Sequence, residues 1–454
     1  MKRLCVAQLS LIFALAGCGQ EAARIFPANP ASHAGASFAS PQYSRVDHVV
    51  IIIQENRSVD YLFNGLPGAD TVTRGKMSNG REVALQPVSL AAPYGISHRH
   101  RAFEVEYDHG RLNGFDNVVT HCPIRHKCPL TYLRAYGYAP RAEVKPYFAM
   151  AEQYGFADRM FQSNQGPSFP AHQYLLSGTS EIAPHSQLLA AENPTAPNGR
   201  MTGGCDSPRG SLVVLINRNG QENKSAYPCF EHLALPNLLE KKSLSWRYYG
   251  NHPTAGIWNA PDAIKSIRDS PEFATDDVTP PRRVLTDISQ GRLANVSWVT
   301  PTSAESDHTG TDDGSGPSWV ASVVNAVGES RYWNDTVVFV VWDDWGGWYD
   351  HVPPPMYDSY ELGFRVPLIV ISRYAKKGFV SHQVHEFGSI LKFIETNFDL
   401  GSLGATDARS DPLSEFFDYN QPPRKFVRIK APLRAGYFLN QPESSLDPDP
   451  DDNL

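Results

Sequence analysis

Cysteine and methionine are both scarce in this chain, with six of each in 454 residues. No stripe of lysine and arginine runs through it and the formal charge is −7, which argues against nucleic acid as a partner. No acidic block reads as a tail for a basic protein, and no internal repeat is visible. The apolar run from Val6 to Ala16 is too short to span a bilayer as a resident helix, which takes about 20 residues. What the chain does have is core and loop material. Apolar residues make up 41%, aromatics 11%, and there are 34 glycines and 36 prolines. That composition predicts one large α/β domain with insertions and long loops.

The N-terminus has the form of an export signal. Lys2 and Arg3 precede the apolar run, which ends in Leu15-Ala16-Gly17-Cys18. The segment resembles a bacterial lipoprotein signal, cleaved before Cys18 and lipidated on that thiol. An ordinary secretory signal with an incidental cysteine is the alternative. Losing residues 1–17 removes Lys2 and Arg3 and no acid, moving the formal charge from −7 to −9. A single acyl chain holds a protein weakly, so stable anchoring takes more than one. The expected location is the bacterial cell envelope, lipid-anchored, or else the periplasm or exterior. Residues 18–43, rich in Ala, Ser and Pro, read as a linker; residues 44–440 form the domain, and 441–454 a loose tail.

Export places the remaining cysteines in an oxidising compartment. Cys122, Cys128, Cys205 and Cys229 allow three pairings, and Cys122–Cys128 with Cys205–Cys229 closes two local loops. A zinc site of His121, Cys122, His126 and Cys128 is the rival, although its spacing fits no standard zinc pattern well.

Short apolar runs read as buried strands at His48–Ile53, Ser245–Tyr249, Asn295–Val299, Thr336–Trp342 and Pro367–Ile371. Amphipathic helical stretches fall between them, most clearly at Pro146–Tyr154, Trp319–Val327 and Ser389–Asn397. This alternation implies a mostly parallel sheet with helices on both faces, and in such sheets ligands sit beyond the carboxyl ends of the strands. Two of the runs end in polar clusters, Gln54-Glu55-Asn56-Arg57-Ser58 and Asp343-Asp344-Trp345-Gly346-Gly347. Either alone could be a solvated turn or a helix cap. Together they suit a hard cation, because adjacent buried carboxylates repel and a divalent ion removes that cost. The two glycines permit close backbone approach.

These segments carry a resemblance. His48 through Asp60 resembles the opening of a bacterial phosphoesterase family containing non-haemolytic phospholipases C and a group of acid phosphatases. Trp333 through Pro355, Gly363 through Ser372 and Glu386 through Glu395 resemble three further blocks of that family. The resemblance implies an alkaline-phosphatase-like α/β fold. It also implies that Ser168, in Gly166-Pro167-Ser168-Phe169-Pro170, is the nucleophile. Taken alone, a serine in such a turn is more often a plain loop residue. His98, in Ser97-His98-Arg99-His100, matches the family's active-site histidine best, with His100 as rival; Ser97 stands where the family usually has an acid. His98 would donate to phosphoryl oxygens. His308 would protonate the leaving alkoxide, and His351 would touch the phosphate or pack its turn. Asp312 and Asp313 read as solvated, and Trp342, Trp345 and Trp348 as core or pocket wall.

The expectation is one divalent ion, Ca, Mg, Mn or Zn, held by Glu55, Asn56, Asp343, Asp344 and the Ser168 hydroxyl, with turnover through a phosphoseryl intermediate. The substrate would be a phosphate monoester or a phospholipid. A non-catalytic surface lipoprotein that binds a phosphorylated or anionic ligand is the alternative from another class. A sulfatase is disfavoured because no Cys/Ser-x-Pro-x-Arg segment is present.

Overall fold

The protein is described by a computed structural model covering residues 45–251 and 255–444. The export signal, Cys18, the whole linker and most of the C-terminal tail lie outside the described residues. Eight strands form the central sheet: β1 His48–Gln54, β2 Gly155–Ala157, β3 Trp246–Tyr249, β4 Asp277–Val278, β5 Val296–Val299, β6 Thr336–Trp342, β7 Leu368–Ser372 and β8 Phe379–Ser381. Their spatial order is β4-β3-β5-β1-β6-β7-β2-β8. All neighbours are parallel except at β7, which runs against both β6 and β2. The five strands expected from apolar runs all form. The short β2, β4 and β8 were not expected, because two to three residues leave no periodicity to read.

Period-two alternation along β6 explains why both faces are covered. Phe339 and Trp342 are an odd number of residues apart and point to opposite faces. Phe339 meets Phe393 of helix α4 (Phe387–Phe398) with ring centroids 5.2 Å apart. Trp342 meets Tyr147 of helix α1 (Lys145–Gln153) at 5.0 Å. Helix α2 (Ser168–Ser177) joins the first face, where the Trp298 indole of β5 donates to Leu175 O at 3.2 Å. Helix α3 (Gly316–Gly328) joins the second and packs Trp319 against Phe438 near the C-terminus. Every residue of β6 is buried, as the unbroken apolar run demands.

Both expected disulfides are present, Cys122–Cys128 and Cys205–Cys229, with Cα atoms 6.3 and 4.5 Å apart. The zinc alternative is overturned, since Cys122 and Cys128 bind each other. Trp342, Trp345 and Trp348 are all fully buried, as core residues.

Phe339 has no exposed surface and fills the seam between β6 and α4. Phe339→Ala is expected to cost about 3–5 kcal/mol, read as a lower urea midpoint with an unchanged slope.

Candidate active site

β1 and β6 pair in register so that Gln54 lies opposite Trp342, and the ladder continues one step as Asp343 N donates to Gln54 O at 3.0 Å. The two polar clusters therefore emerge side by side at the carboxyl edge. Asn56 turns the chain out of β1 with φ of 62°, a left-handed conformation that asparagine tolerates better than most residues. The turn is held from both sides. Asn56 N donates to Asp343 Oδ1 at 3.0 Å, and the buried Arg57 guanidinium donates to Asn56 O at 3.0 Å. Gly346 presses on the same turn; a Cβ there would lie 2.2 Å from Asn56 O, so no other residue fits.

Each aspartate spends one oxygen on backbone amides and turns the other inward. Asp343 Oδ1 also accepts from Asp344 N at 2.7 Å, and Asp344 Oδ1 accepts from Gly346 N at 2.7 Å. Asp344 Oδ2 accepts from Ser168 Oγ and from Asn56 Nδ2, each at 3.4 Å. Asp343 Oδ2 has no hydrogen-bond partner. Ser168 opens α2, where the helix dipole favours negative charge on its oxygen. Glu55, Asn56, Ser168, Asp343 and Asp344, hundreds of residues apart in sequence, are thus brought to one buried locus.

A sixth residue joins them that sequence reasoning passed over. His172 Nε2 lies 3.3 Å from Glu55 Oε1 and 3.8 Å from Asp343 Oδ2. The signal was its spacing: His172 follows Ser168 by four residues, one turn along the same helix face. Its protonation follows from its neighbours. Tyr248 O–H donates to Trp258 O at 2.6 Å, so Tyr248 Oη can only accept from His172 Nδ1–H at 3.1 Å. Nε2 then carries the lone pair facing the carboxylates. Burial pushes the His172 pKa down to about 4 although the Asp343 charge opposes this, and the ring is neutral at pH 7.

The remaining histidines separate. His98 Nδ1 donates to Ile96 O at 3.0 Å, and its Nε2 accepts from Asn56 Nδ2 at 2.9 Å and lies 3.9 Å from Asp344 Oδ2. In this state the ring orients Asn56, leaving Asn56 Oδ1 without a hydrogen-bond partner. His308, following β5, stands with its ring 6.0 Å from that of His98 and its Nδ1 on Thr309 O at 2.7 Å. His100 turns away to Glu222. His351 is placed elsewhere: Nδ1 meets Asp60 Oδ2 at 2.6 Å and Nε2 meets Asp70 Oδ1 at 3.1 Å. Arg365 binds Asp350 at 2.8 Å and Asp60 at 3.4 Å in that group, which makes it a network of ion pairs. Asp313 is exposed as expected, but the expectation of a solvated Asp312 is corrected. Its side chain is wholly buried against Arg57 at 3.4 Å, and burial holds its carboxyl well above the usual range despite that charge. The Arg57 guanidinium also lies against the rings of Tyr61 and Trp348, 4.9 and 5.6 Å from their centroids.

The donor set fits a divalent cation. Two ligand atoms that each lie about 2.0–2.2 Å from one ion are no more than about 4.4 Å apart, and the Glu55–His172 and His172–Asp343 separations satisfy this. Asp343 Oδ2, Asn56 Oδ1 and His172 Nε2 are buried acceptor atoms lacking hydrogen-bond donors, an arrangement that an ion would compensate. Asp60, Asp350 and His351 form a second group of suitable atoms, but Arg365 already supplies the positive charge there.

The model of the Phosphoesterase family matches residues 46–401. The chain is similar to the hemolytic phospholipase C of Pseudomonas aeruginosa (25% identity, 78% of this chain and 53% of that one). It is similar also to phospholipase C B of Mycobacterium tuberculosis (24%, 83% and 78%) and to non-specific phospholipase C1 of Arabidopsis thaliana (23%, 85% and 73%). It spans about half the length of the hemolytic and non-hemolytic Pseudomonas phospholipases it matches, 53% and 56%. Among solved structures, an alkaline phosphatase superfamily protein from Vibrio parahaemolyticus overlaps loosely, at a TM-score of 0.35 and 11% identity over 80% of this chain and 70% of that one.

Removing the partner that fixes a ligating histidine typically weakens metal binding about 10–100-fold. Tyr248→Phe is expected to do so here, measured by equilibrium dialysis against Mn²⁺ and Zn²⁺.

Proposed function

This chain belongs to the Phosphoesterase family, and on that premise we propose that it hydrolyses phosphate esters, with Ser168 as nucleophile and a phospholipid as substrate. The observation that carries the reading is the position of Ser168 Oγ, 3.4 Å from Asp344 Oδ2 at the head of α2, within a buried ring of Glu55, Asn56, His172, Asp343 and Asp344. A serine hydroxyl is a poor nucleophile at neutral pH unless something lowers its pKa. A bound divalent ion supplies that as a Lewis acid and offsets charge on the phosphoryl oxygens. Glu55, Asn56, Asp343 and Asp344 would hold it, with His172 contributing a nitrogen.

In the proposed reaction Ser168 Oγ attacks phosphorus as its proton passes to Asp344 Oδ2, which already accepts its hydrogen bond; the new Oγ–P bond forms and the ester P–O bond opposite it breaks. His308 gives its proton to the departing alkoxide, acting as imidazolium, since its Nδ1 is committed to Thr309 O. Water then attacks the phosphoserine, giving a proton to His308 and restoring its imidazolium, while Ser168 Oγ leaves and recovers its proton from Asp344. His98 holds Asn56 in place and, when protonated, offers Nε2–H to a phosphoryl oxygen. The names of the relatives favour cleavage of the phospholipase C type, between glycerol and phosphate, over a monoesterase. The export signal and the lipid on Cys18 stand on the sequence of residues 1–18 and extend this reading to an enzyme of the cell envelope.

Ser168→Ala is expected to lower turnover of p-nitrophenyl phosphorylcholine at least about a thousandfold while its circular dichroism matches the parent. Near-normal turnover by this variant would remove Ser168 from the role. Faster turnover of p-nitrophenyl phosphate than of the phosphorylcholine ester would shift the substrate to a monoester. Dialysis against chelator is expected to abolish both activities, and added metal to restore them.

A further inference from the structure

Four of the large apolar side chains with the most solvent exposure lie within fourteen residues of each other. Val119, Ile124, Leu130 and Tyr132 are 60%, 103%, 61% and 46% exposed. They surround the loop closed by the Cys122–Cys128 disulfide, with Ile124 at its tip. The loop is built to hold its shape. His126 N donates to Pro123 O at 2.9 Å across it, and Arg134 ties its base by donating to Thr120 Oγ1 at 2.6 Å and Pro129 O at 3.1 Å. Exposed, covalently fixed apolar surface is unfavourable for a protein in water and marks a contact surface.

The charge around the tip identifies the contact. Arg125 and Lys127 follow Ile124 within the loop, are exposed, and form no ion pair among the described residues. No aspartate or glutamate occurs from residue 117 to 142, in a chain whose formal charge is −7. An apolar point inside a cationic collar matches a bilayer surface, with anionic headgroups meeting the collar and acyl chains receiving the point. A two-fold contact with another copy of the chain would instead set the cationic collars against each other with no acid between them.

The loop is joined to the candidate active site. Thr120–His121 pairs antiparallel with Gly95–Ile96, and Ser97 N donates to Val119 O at 2.9 Å. His98 follows directly and binds Ile96 O. We propose that the Cys122–Cys128 loop docks the protein on anionic phospholipid bilayers, with Ile124 inserting and Arg125 and Lys127 binding headgroups, so that the His98 side of the site faces the lipid. This rests on the phospholipid reading of that site.

The test is co-sedimentation with vesicles of phosphatidylcholine alone and of phosphatidylcholine with 30% phosphatidylglycerol. It uses the full chain carrying Cys18→Ser, so that no attached lipid contributes. Binding is expected to be stronger on the anionic vesicles and to weaken at least about tenfold in Ile124→Glu. In Arg125→Gln/Lys127→Gln it should weaken about 30-fold on anionic vesicles, at roughly fivefold per charge, and little on neutral ones. Ile124→Trp should bind as tightly as the parent or more so. Turnover of soluble p-nitrophenyl phosphorylcholine should be unchanged in all of them. Failure of the parent to bind either vesicle, or equal binding by every variant, overturns the proposal. So does a parent dimer that Ile124→Glu converts to monomer without altering vesicle binding. Loss of soluble turnover in the parent would instead refute the catalytic reading and leave the docking result interpretable.

Discussion

Glu55, Asp343 and Asp344 have no solvent exposure, and their common burial is the constraint on which the rest of this structure depends. Burying an ionised carboxylate costs several kcal/mol unless another charge or set of donors compensates. The sheet makes this burial unavoidable. The ladder between β1 and β6 runs to its last residue and is continued by Asp343 N to Gln54 O, so two acidic turns must leave the same edge together. Backbone amides satisfy one oxygen of each aspartate. The inward oxygens, with Asn56 Oδ1 and His172 Nε2, form a converging set of acceptors, which is the electrostatic description of a cation site.

Around that locus lies a support of residues that take no part in the proposed chemistry. Arg57 holds the carbonyl of the left-handed Asn56 and itself lies against two aromatic rings and beside the buried Asp312. Tyr248 selects the tautomer of His172. The indole of Trp345, which packs edge-on to His98, is fixed by donating to the buried Glu106 at 2.6 Å. Burial holds the Glu106 carboxyl well above its ordinary range, against the pull of the Trp345 bond and the nearby His98. Such layers reduce the freedom of the groups they touch, and a nucleophile on a helix terminus gains from a site that needs little reorganisation.

The same strand segment links chemistry to surface. Residues 95–98 carry His98 at one end and pair with the base of the disulfide loop at the other. The base of the loop is hydrogen-bonded to residues 95–97, directly before His98, so the loop and that side of the site are held in a fixed relation. The disulfide closes this loop covalently around the exposed Ile124.

How much of this was legible in the sequence depended on the length scale of each signal. The five apolar runs gave strands because β-structure is encoded by neighbouring residues. The acidic turns after β1 and β6 were readable as a pair because parallel strands present their carboxyl ends together. The disulfide partners were readable because each closes a local loop. The antiparallel sense of β7 was not readable, since a buried strand looks the same in either direction. Nor was the fate of individual polar side chains. His98 faces Asn56 while His100, two residues on, faces Glu222. His351, seven residues beyond Asp344, is captured by Asp60 and Asp70, and Asp312 is drawn into the interior by Arg57. By itself the sequence determined the five long apolar strands and the acidic turns at their edge, while Ser168 was singled out by resemblance. Which histidines and carboxylates face that edge was decided only by the tertiary structure, because each choice is an electrostatic pairing between residues tens to hundreds of positions apart.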